Sequence, residues 1–187
     1  MFMVFPVGYA LLEKTLVDLE RDAMSDDLAK TFAPAQLAGL PLRNRLIKAA
    51  TSEGMSHLGV PDDRLADFHG RIADGGIAMT TLAYCAVEPD GRLHEHQMHM
   101  DASIASQLQA LADRVHGAGA KLSGQMAHAG GFTKNKALRR TRPLGPSFGF
   151  NKYGAAQGMP FCGAMNDADI TDMVRAYGHA ARFMKSV

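Results

Sequence analysis

The stretch "IAMTTLAYCAV", Ile77 to Val87, does most to limit what this chain can become. It is apolar throughout and rich in strand formers. A strand with no polar side is covered on both faces, as in a parallel sheet. Helix-like segments flank it on both sides. In "PDDRLADFHGRIADGG", Leu65, Phe68 and Ile72 share one helical face, Asp62 or Asp63 is placed to cap the start, and Gly75 and Gly76 end it. In "SIASQLQALADRVHGAGA", Ile104, Leu108, Leu111, Ala112 and Val115 recur at helical spacing. A strand between two crossover helices implies right-handed parallel βαβ units.

The neighbouring segments extend the pattern. "FAPAQLAGLPLRNR" reads as a short hairpin around Gly39 and Pro41, and "RLIKAAT", Arg45 to Thr51, as a buried strand. "KLSGQMA", from Lys121, is a third strand, followed by a long polar loop from His128 to about Asn166. "DADITDMVRAYGHAARFMKS" predicts a last helix with Ile170, Met173, Val174, Tyr177, Ala181 and Met184 on one face. Two architectures accept this order: a doubly wound sheet and a (β/α)8 barrel. No G-x-G-x-x-G follows the first strand, which disfavours a dinucleotide fold. A whole barrel typically takes ~250 residues. The expected fold is therefore α/β, of the (β/α)8 TIM-barrel type, with the first three β/α units behind an N-terminal hairpin.

Composition excludes several functional classes. The net charge of +1 across 187 residues gives no global field for nucleic acid or membrane. No apolar run reaches the ~18 residues of a membrane span. Two cysteines, Cys85 and Cys162, are no disulfide framework and point to a reducing cytoplasm. The N-terminus lacks the basic start and small-residue cleavage site of a secretory signal. Residues 1–30 read as an extension, mis-started or disordered, with Met24 a candidate start. Residues 31–187 read as the barrel portion.

In a barrel, ligands meet the C-terminal ends of the strands. Those ends are "AATSEG", "AYCAV" and "GQMAHAGG". Small residues there let a flat ligand lie against the backbone. The Gln125 amide carries both a donor and an acceptor, so it can pair with the edge of a heteroaromatic ring or be satisfied by neighbouring backbone.

"LPLRNRLIKAATSEGM", "AYCAVEPDGR", "GQMAHAGG" and "GPS", in this order and spacing, resemble the old yellow enzyme family of FMN-dependent NADH:flavin oxidoreductases and ene-reductases. The resemblance runs from about Phe32 to the C-terminus and covers the N-terminal half of the family's barrel. It implies FMN as cofactor, NAD(P)H as electron donor, and hydride transfer to an activated alkene or similar acceptor. It further implies that Ala49, Ala50, Thr51 and Ser52 lie along the flavin, with Ser52 on its O4 side. Tyr84 would meet the flavin through its backbone, and Gln125 would bond the pyrimidine edge.

There are departures. Ala50-Thr51 stand where many members have Pro-Met, Gly131 stands where many have arginine, and Gly54 where some have a substrate-side tyrosine. The family's substrate-binding pair, tyrosine proton donor and phosphate loops are expected downstream of Val187, so no catalytic residue is assigned in this chain. The expectation is a truncated chain that binds FMN weakly or not at all and is inactive alone. The alternatives are a half-barrel closed by a second chain or by self-association, and a non-functional truncation product. A small-molecule substrate is the other expected partner.

Three further features have plainer readings. His94, His96 and His99 in "LHEHQMHM" are close in sequence, but no Cys or second His cluster completes a zinc set, so a solvated loop is preferred and no metal is expected. "TKNKALRRTR" reads as a solvated basic loop that can help admit an anionic nicotinamide cofactor. Cys85 lies in an apolar run and reads as inert. Glu53, Asp101 and Asp113 are available acids with no pocket to choose among them.

Overall fold

The computed structural model describes residues 25–187. The candidate start at Met24 and the extension before it lie outside the described residues. Among the described residues the chain divides into two compact units, with the boundary between Leu46 and Ile47.

In the first unit, residues 25–32 are helical (α1) and the hairpin β1 (Ala35–Leu37) and β2 (Leu40–Leu42) follows. Its two-residue turn puts Ala38 at φ 48° and Gly39 at φ 84°. Positive φ at both positions is what lets a tight turn match the twist of its strands. The hairpin expected from Gly39 and Pro41 is thus present, with Leu37 opposite Leu40 and Gln36 opposite Pro41.

The second unit is built on a parallel three-stranded sheet in the order β3 (Ile47–Lys48), β6 (Met79–Ala86), β7 (Lys121–Ala127). A second hairpin, β4 (Ser56–His57) and β5 (Val60–Pro61), lies between β3 and α2 (Asp63–Asp74). Helix α3 (Ala105–Gly117) joins β6 to β7, and α4 (Asp167–Ser186) closes the unit. Leu65 and Ala73 of α2, Leu82 and Cys85 of β6, Leu108, Leu111 and Val115 of α3, and Ala180 of α4 form one apolar core. The βαβ order and the apolar face of α3 match the sequence expectations.

Four expectations change in detail. The first strand is shorter than Arg45–Thr51: only Ile47 and Lys48 pair with β6, and residues 49–55 carry no regular structure. Helix α2 buries Leu65, His69, Gly70 and Ala73, while Phe68 and Ile72 are only half-buried. Asp62 stands at its N-cap without a capping side-chain bond, because its carboxylate is taken by Arg64 at 2.7 Å. Helix α4 spans the expected residues, and Asn166 and Asp169 form a reciprocal capping box. It packs through Met173, Ala176, Tyr177, Ala180 and Met184, leaving Ile170 and Val174 exposed.

The segment from His128 to Asn166 is not a structureless loop. It holds a small sheet in which β10 (Phe161–Ala164) pairs in parallel with β8 (Leu144–Gly145) and antiparallel with β9 (Gly149–Phe150). Buried Thr133, Asn135 and Asn151 replace missing ladder bonds. Thr133 Oγ1 donates to the Arg92 carbonyl at 2.6 Å, Asn151 Nδ2 donates to the Thr133 carbonyl at 2.8 Å, and Asn135 Oδ1 accepts from the Ala137 amide at 3.1 Å. Buried polar side chains that bond backbone in this way hold a segment its own strands are too short to hold.

Candidate functional site

The two faces of the parallel sheet differ. Thr80 and Leu82 of β6 face the helices, and so do Cys85 and Val87. That change from even to odd positions needs one extra residue. It is present as a register shift, with Leu82 opposite Gly124 but Cys85 opposite Met126. Ala83 and Tyr84 together therefore stand opposite Gln125 alone, as in a β-bulge. The Ala83–Tyr84 peptide is cis. The face away from the helices carries Ile47, Thr81, Ser123 and Gln125. There the Thr81 and Ser123 hydroxyls meet at 2.8 Å, and Ile47 and Gln125 are exposed.

Each sequence-derived site residue lies at or beyond the C-terminal part of a parallel strand. Ala49, Thr51 and Ser52 are exposed and Ala50 is half-buried, all directly after β3. Tyr84 is 39% exposed in the bulge of β6. Ser52 and Tyr84 share a cavity of about 340 Å³, counting its open mouth, together with Ala83, His94, Gln97 and Met98. Gln125 faces Tyr84 across the bulge but does not line that cavity. Tyr84 is held through its backbone: buried Gln97 donates to its carbonyl at 3.4 Å and accepts from the Leu93 amide at 2.6 Å.

Sequence reasoning passed over the polar cluster beneath this surface. Lys48 aligns with Thr80 and so projects to the helix side. Its Nζ donates to Glu53 Oε1 at 2.8 Å, the Ala49 carbonyl at 3.1 Å and Thr51 Oγ1 at 3.1 Å. His69 of α2 is fully buried, with Nδ1 at 2.7 Å from Thr80 Oγ1 and Nε2 at 3.6 Å from Glu53 Oε1. Burial drives the His69 pKa down to about 4; the Glu53 charge opposes this and the Lys48 charge adds to it. The available signal was a lysine inside an apolar strand with a glutamate five positions later.

A second polar frame lies beyond β6 and β7. The Gly130 N–H donates to His128 Nδ1 at 2.9 Å, which leaves Nε2–H to donate to Glu88 at 3.1 Å. That hydrogen bond, reinforced by the charges of Arg139 and Arg140, holds the Glu88 carboxyl below its ordinary value despite its burial. Arg139 also pairs with Glu88 at 2.9 Å, and Arg140 with Asp169 at 2.8 Å. The loop expected to be solvated is therefore tied down through part of its basic set. Lys134 and Lys136 instead line a shallow cavity with His94, His96 and Gln157.

The three histidines of "LHEHQMHM" have separate tasks. His96 Nδ1 accepts from the Leu58 amide at 3.2 Å, His99 pairs with Asp101 at 2.7 Å, and His94 has its pKa lowered chiefly by burial. Among the described residues no cluster of His, Cys, Asp or Glu has the arrangement of a metal site. Cys85 is fully buried, and burial, with the Glu53 charge second, pushes its thiol up to about 12. Asp101 caps a turn by accepting from the Ser103 amide, and Asp113 accepts from Gln109 on an exposed face. No described helix is long and apolar enough to cross a membrane.

The profile of the NADH:flavin oxidoreductase / NADH oxidase family matches residues 30–186, and the chain belongs to that family. Its members are oxidoreductases that use FMN, in agreement with the resemblance read from the sequence. A 4,4'-dithiodibutanoate disulfide reductase of Rhodococcus erythropolis is 47% identical over 116 residues, covering 62% of this chain and 28% of that protein. A multifunctional alkene reductase/demethylase OYE of Caballeronia cordobensis is 26% identical over 162 residues, covering 86% of this chain and 23% of that protein. Morphinone reductase in complex with tetrahydroNAD superimposes with a TM-score of 0.74 at 19% identity, over 83% of this chain and 46% of that one, and shares the fold. The chain thus spans about a quarter of the length of these curated relatives.

The residues present fit a flavin ring. The Gln125 amide and the Ser52 hydroxyl have no partner among the described residues, and both are exposed beside small side chains at the strand ends. An amide that offers a donor and an acceptor together suits the imide-like edge of such a ring.

Proposed function

We propose that this chain supplies the first three β/α units, residues 31–187, of an FMN-binding (β/α)8 barrel in an NAD(P)H-dependent oxidoreductase. The single observation that carries this reading is the bulge in β6, which sets Tyr84 against Gln125 on the sheet face the helices leave open. Bound flavin would take a hydride from NAD(P)H and pass it to an activated alkene. The residues of this chain bind and orient it. Ala49 and Ala50 give the ring a flat approach, Ser52 offers a hydroxyl to its O4 side, Thr51 lines the same path, and Gln125 pairs with the pyrimidine edge. An organic disulfide is the second acceptor class, favoured by the 47% identity to a disulfide reductase.

The exposed face bearing Ile47 and Gln125, and the outer edges of β3 and β7, support closure of the barrel by a second chain or a second copy. Alone, the chain is expected to bind FMN weakly and not to turn over. Its two free thiols suit a reducing cytoplasm.

Titration of the 15N-labelled chain with FMN tests the reading by amide shift mapping. Shifts are expected to concentrate at Ala49–Ser52, Tyr84 and Gln125. Gln125→Ala should weaken binding roughly 2–10-fold, the worth of one neutral hydrogen bond. Shifts confined to other surfaces, or none at millimolar FMN, refute it.

A further inference from the structure

Residues 49–55 have no regular structure, so the path of the proposed flavin-facing segment has to be set by something else. One atom supplies the restraint. The Lys48 ammonium contacts Glu53 Oε1, the Ala49 carbonyl and Thr51 Oγ1, with the Thr81 carbonyl at 3.4 Å. It thereby ties the start, middle and end of the segment to one point on β6. The side chains involved are secluded, Lys48 at 14% and Glu53 at 2% exposure, and Nζ lies 5.5 Å from the centre of the Phe68 ring. Glu53 Oε2 and His69 Nε2 are buried without hydrogen-bond partners.

A buried ion pair is seldom the most stabilising filling for such a space, because removing two charges from water costs much of what their attraction returns. What this pair provides is geometry. Lys48 and Glu53 bracket four of the six candidate site residues, and both point to the helix side, away from Gln125. We propose that Lys48, anchored by Glu53, is a positioning residue that fixes Ala49–Ser52 from beneath and thereby sets the surface offered to the flavin. This rests on the flavin reading above.

The test compares the wild-type chain with K48M/E53Q, which removes both charges and leaves neither buried alone. Backbone 15N order parameters of residues 49–54 are expected to fall from rigid values of about 0.85 to below about 0.6, while those of Met79–Leu82 and Leu108–Val115 stay unchanged. In shift titrations at a temperature where both proteins are fully folded, the dissociation constant for FMN is expected to rise at least fivefold. A role confined to fold stability would lower the melting temperature and leave both the order parameters of 49–54 and the FMN affinity of the folded protein unchanged. Unaltered order parameters at 49–54 overturn the proposal. Lower order parameters there with unaltered FMN affinity overturn its link to the flavin. If the wild-type chain gives no FMN-induced shifts, the flavin reading fails, and the relaxation data still decide whether Lys48 orders the segment.

Discussion

His69 provides a quantitative check on the packing beneath the candidate site. Its ring is fully buried among Thr80, Glu53, Lys48 and Phe68, and it has a folded-state pKa of about 4 against an ordinary 6.5. The unfolded chain therefore takes up a proton near pH 6.5 that the folded chain refuses until about pH 4. The contribution of His69 to stability is complete above pH 6.5 and is lost as pH falls toward 4. A depression of that size corresponds to about 3 kcal/mol at 1.36 kcal/mol per pKa unit, most of which has gone by pH 4.5. The perturbation is H69L/T80V, which removes the imidazole together with its hydroxyl partner and so leaves no orphan between them. Urea unfolding followed by circular dichroism at pH 7.5 and pH 4.5 gives the change for each protein. Glu88, Asp101 and the other carboxyls with lowered pKa values also lose stability in acid, but they do so in both proteins and cancel in the difference. The wild type should lose about 2–3 kcal/mol more than the variant. Equal losses would show that His69 is not a neutral, desolvated group and would refute the packing described for α2.

Two other perturbations probe the surroundings. With its thiol pushed up to about 12, Cys85 should react with a disulfide reagent at pH 8 only as fast as the chain unfolds; in a C162S background, stoichiometric labelling of the native protein within minutes would contradict this. A Cβ at Gly91 would stand 2.7 Å from His128 Cδ2, and that ring is held by Glu88 and the Gly130 amide. Gly91→Ala should therefore lower stability by about 1–3 kcal/mol through displacement of the ring, read as a fall in melting temperature; an unchanged melting temperature would show the ring free to move.

Sequence patterns reported some levels of this structure and not others. The apolar face of α3 was legible because Ile104, Leu108, Leu111 and Val115 have a single helical period and all are buried. Helix α4 shows the limit: its apolar residues cover a wide arc, and packing on the core beside β7 selects Tyr177 and Ala180 over Ile170 and Val174. The small sheet between His128 and Asn166 could not be read, because strands of two residues carry no period and their support comes from distant backbone at Pro89, Arg92 and Leu93. Glu53 looked like any acidic loop residue, since its partners Lys48 and His69 meet only after β3, β6 and α2 assemble.

The bulge in β6 shows why candidate residues could be named from the sequence while their geometry could not. A strand apolar on both sides conceals its own parity, so nothing in "TTLAYCAV" shows where inside and outside exchange. A one-residue slip in a sheet reverses the face of every later side chain. Without the extra residue at Ala83–Tyr84, a strand that buries Thr80 and Leu82 would turn Cys85 and Val87 away from the helices. With it, Cys85 and Val87 stay in the core while Tyr84 is left exposed opposite Gln125. The same irregularity therefore satisfies the core and builds the candidate site. Straightening β6 would disturb packing and ligand surface together, which distinguishes the bulge from Lys48, whose removal along with Glu53 should disturb the surface alone.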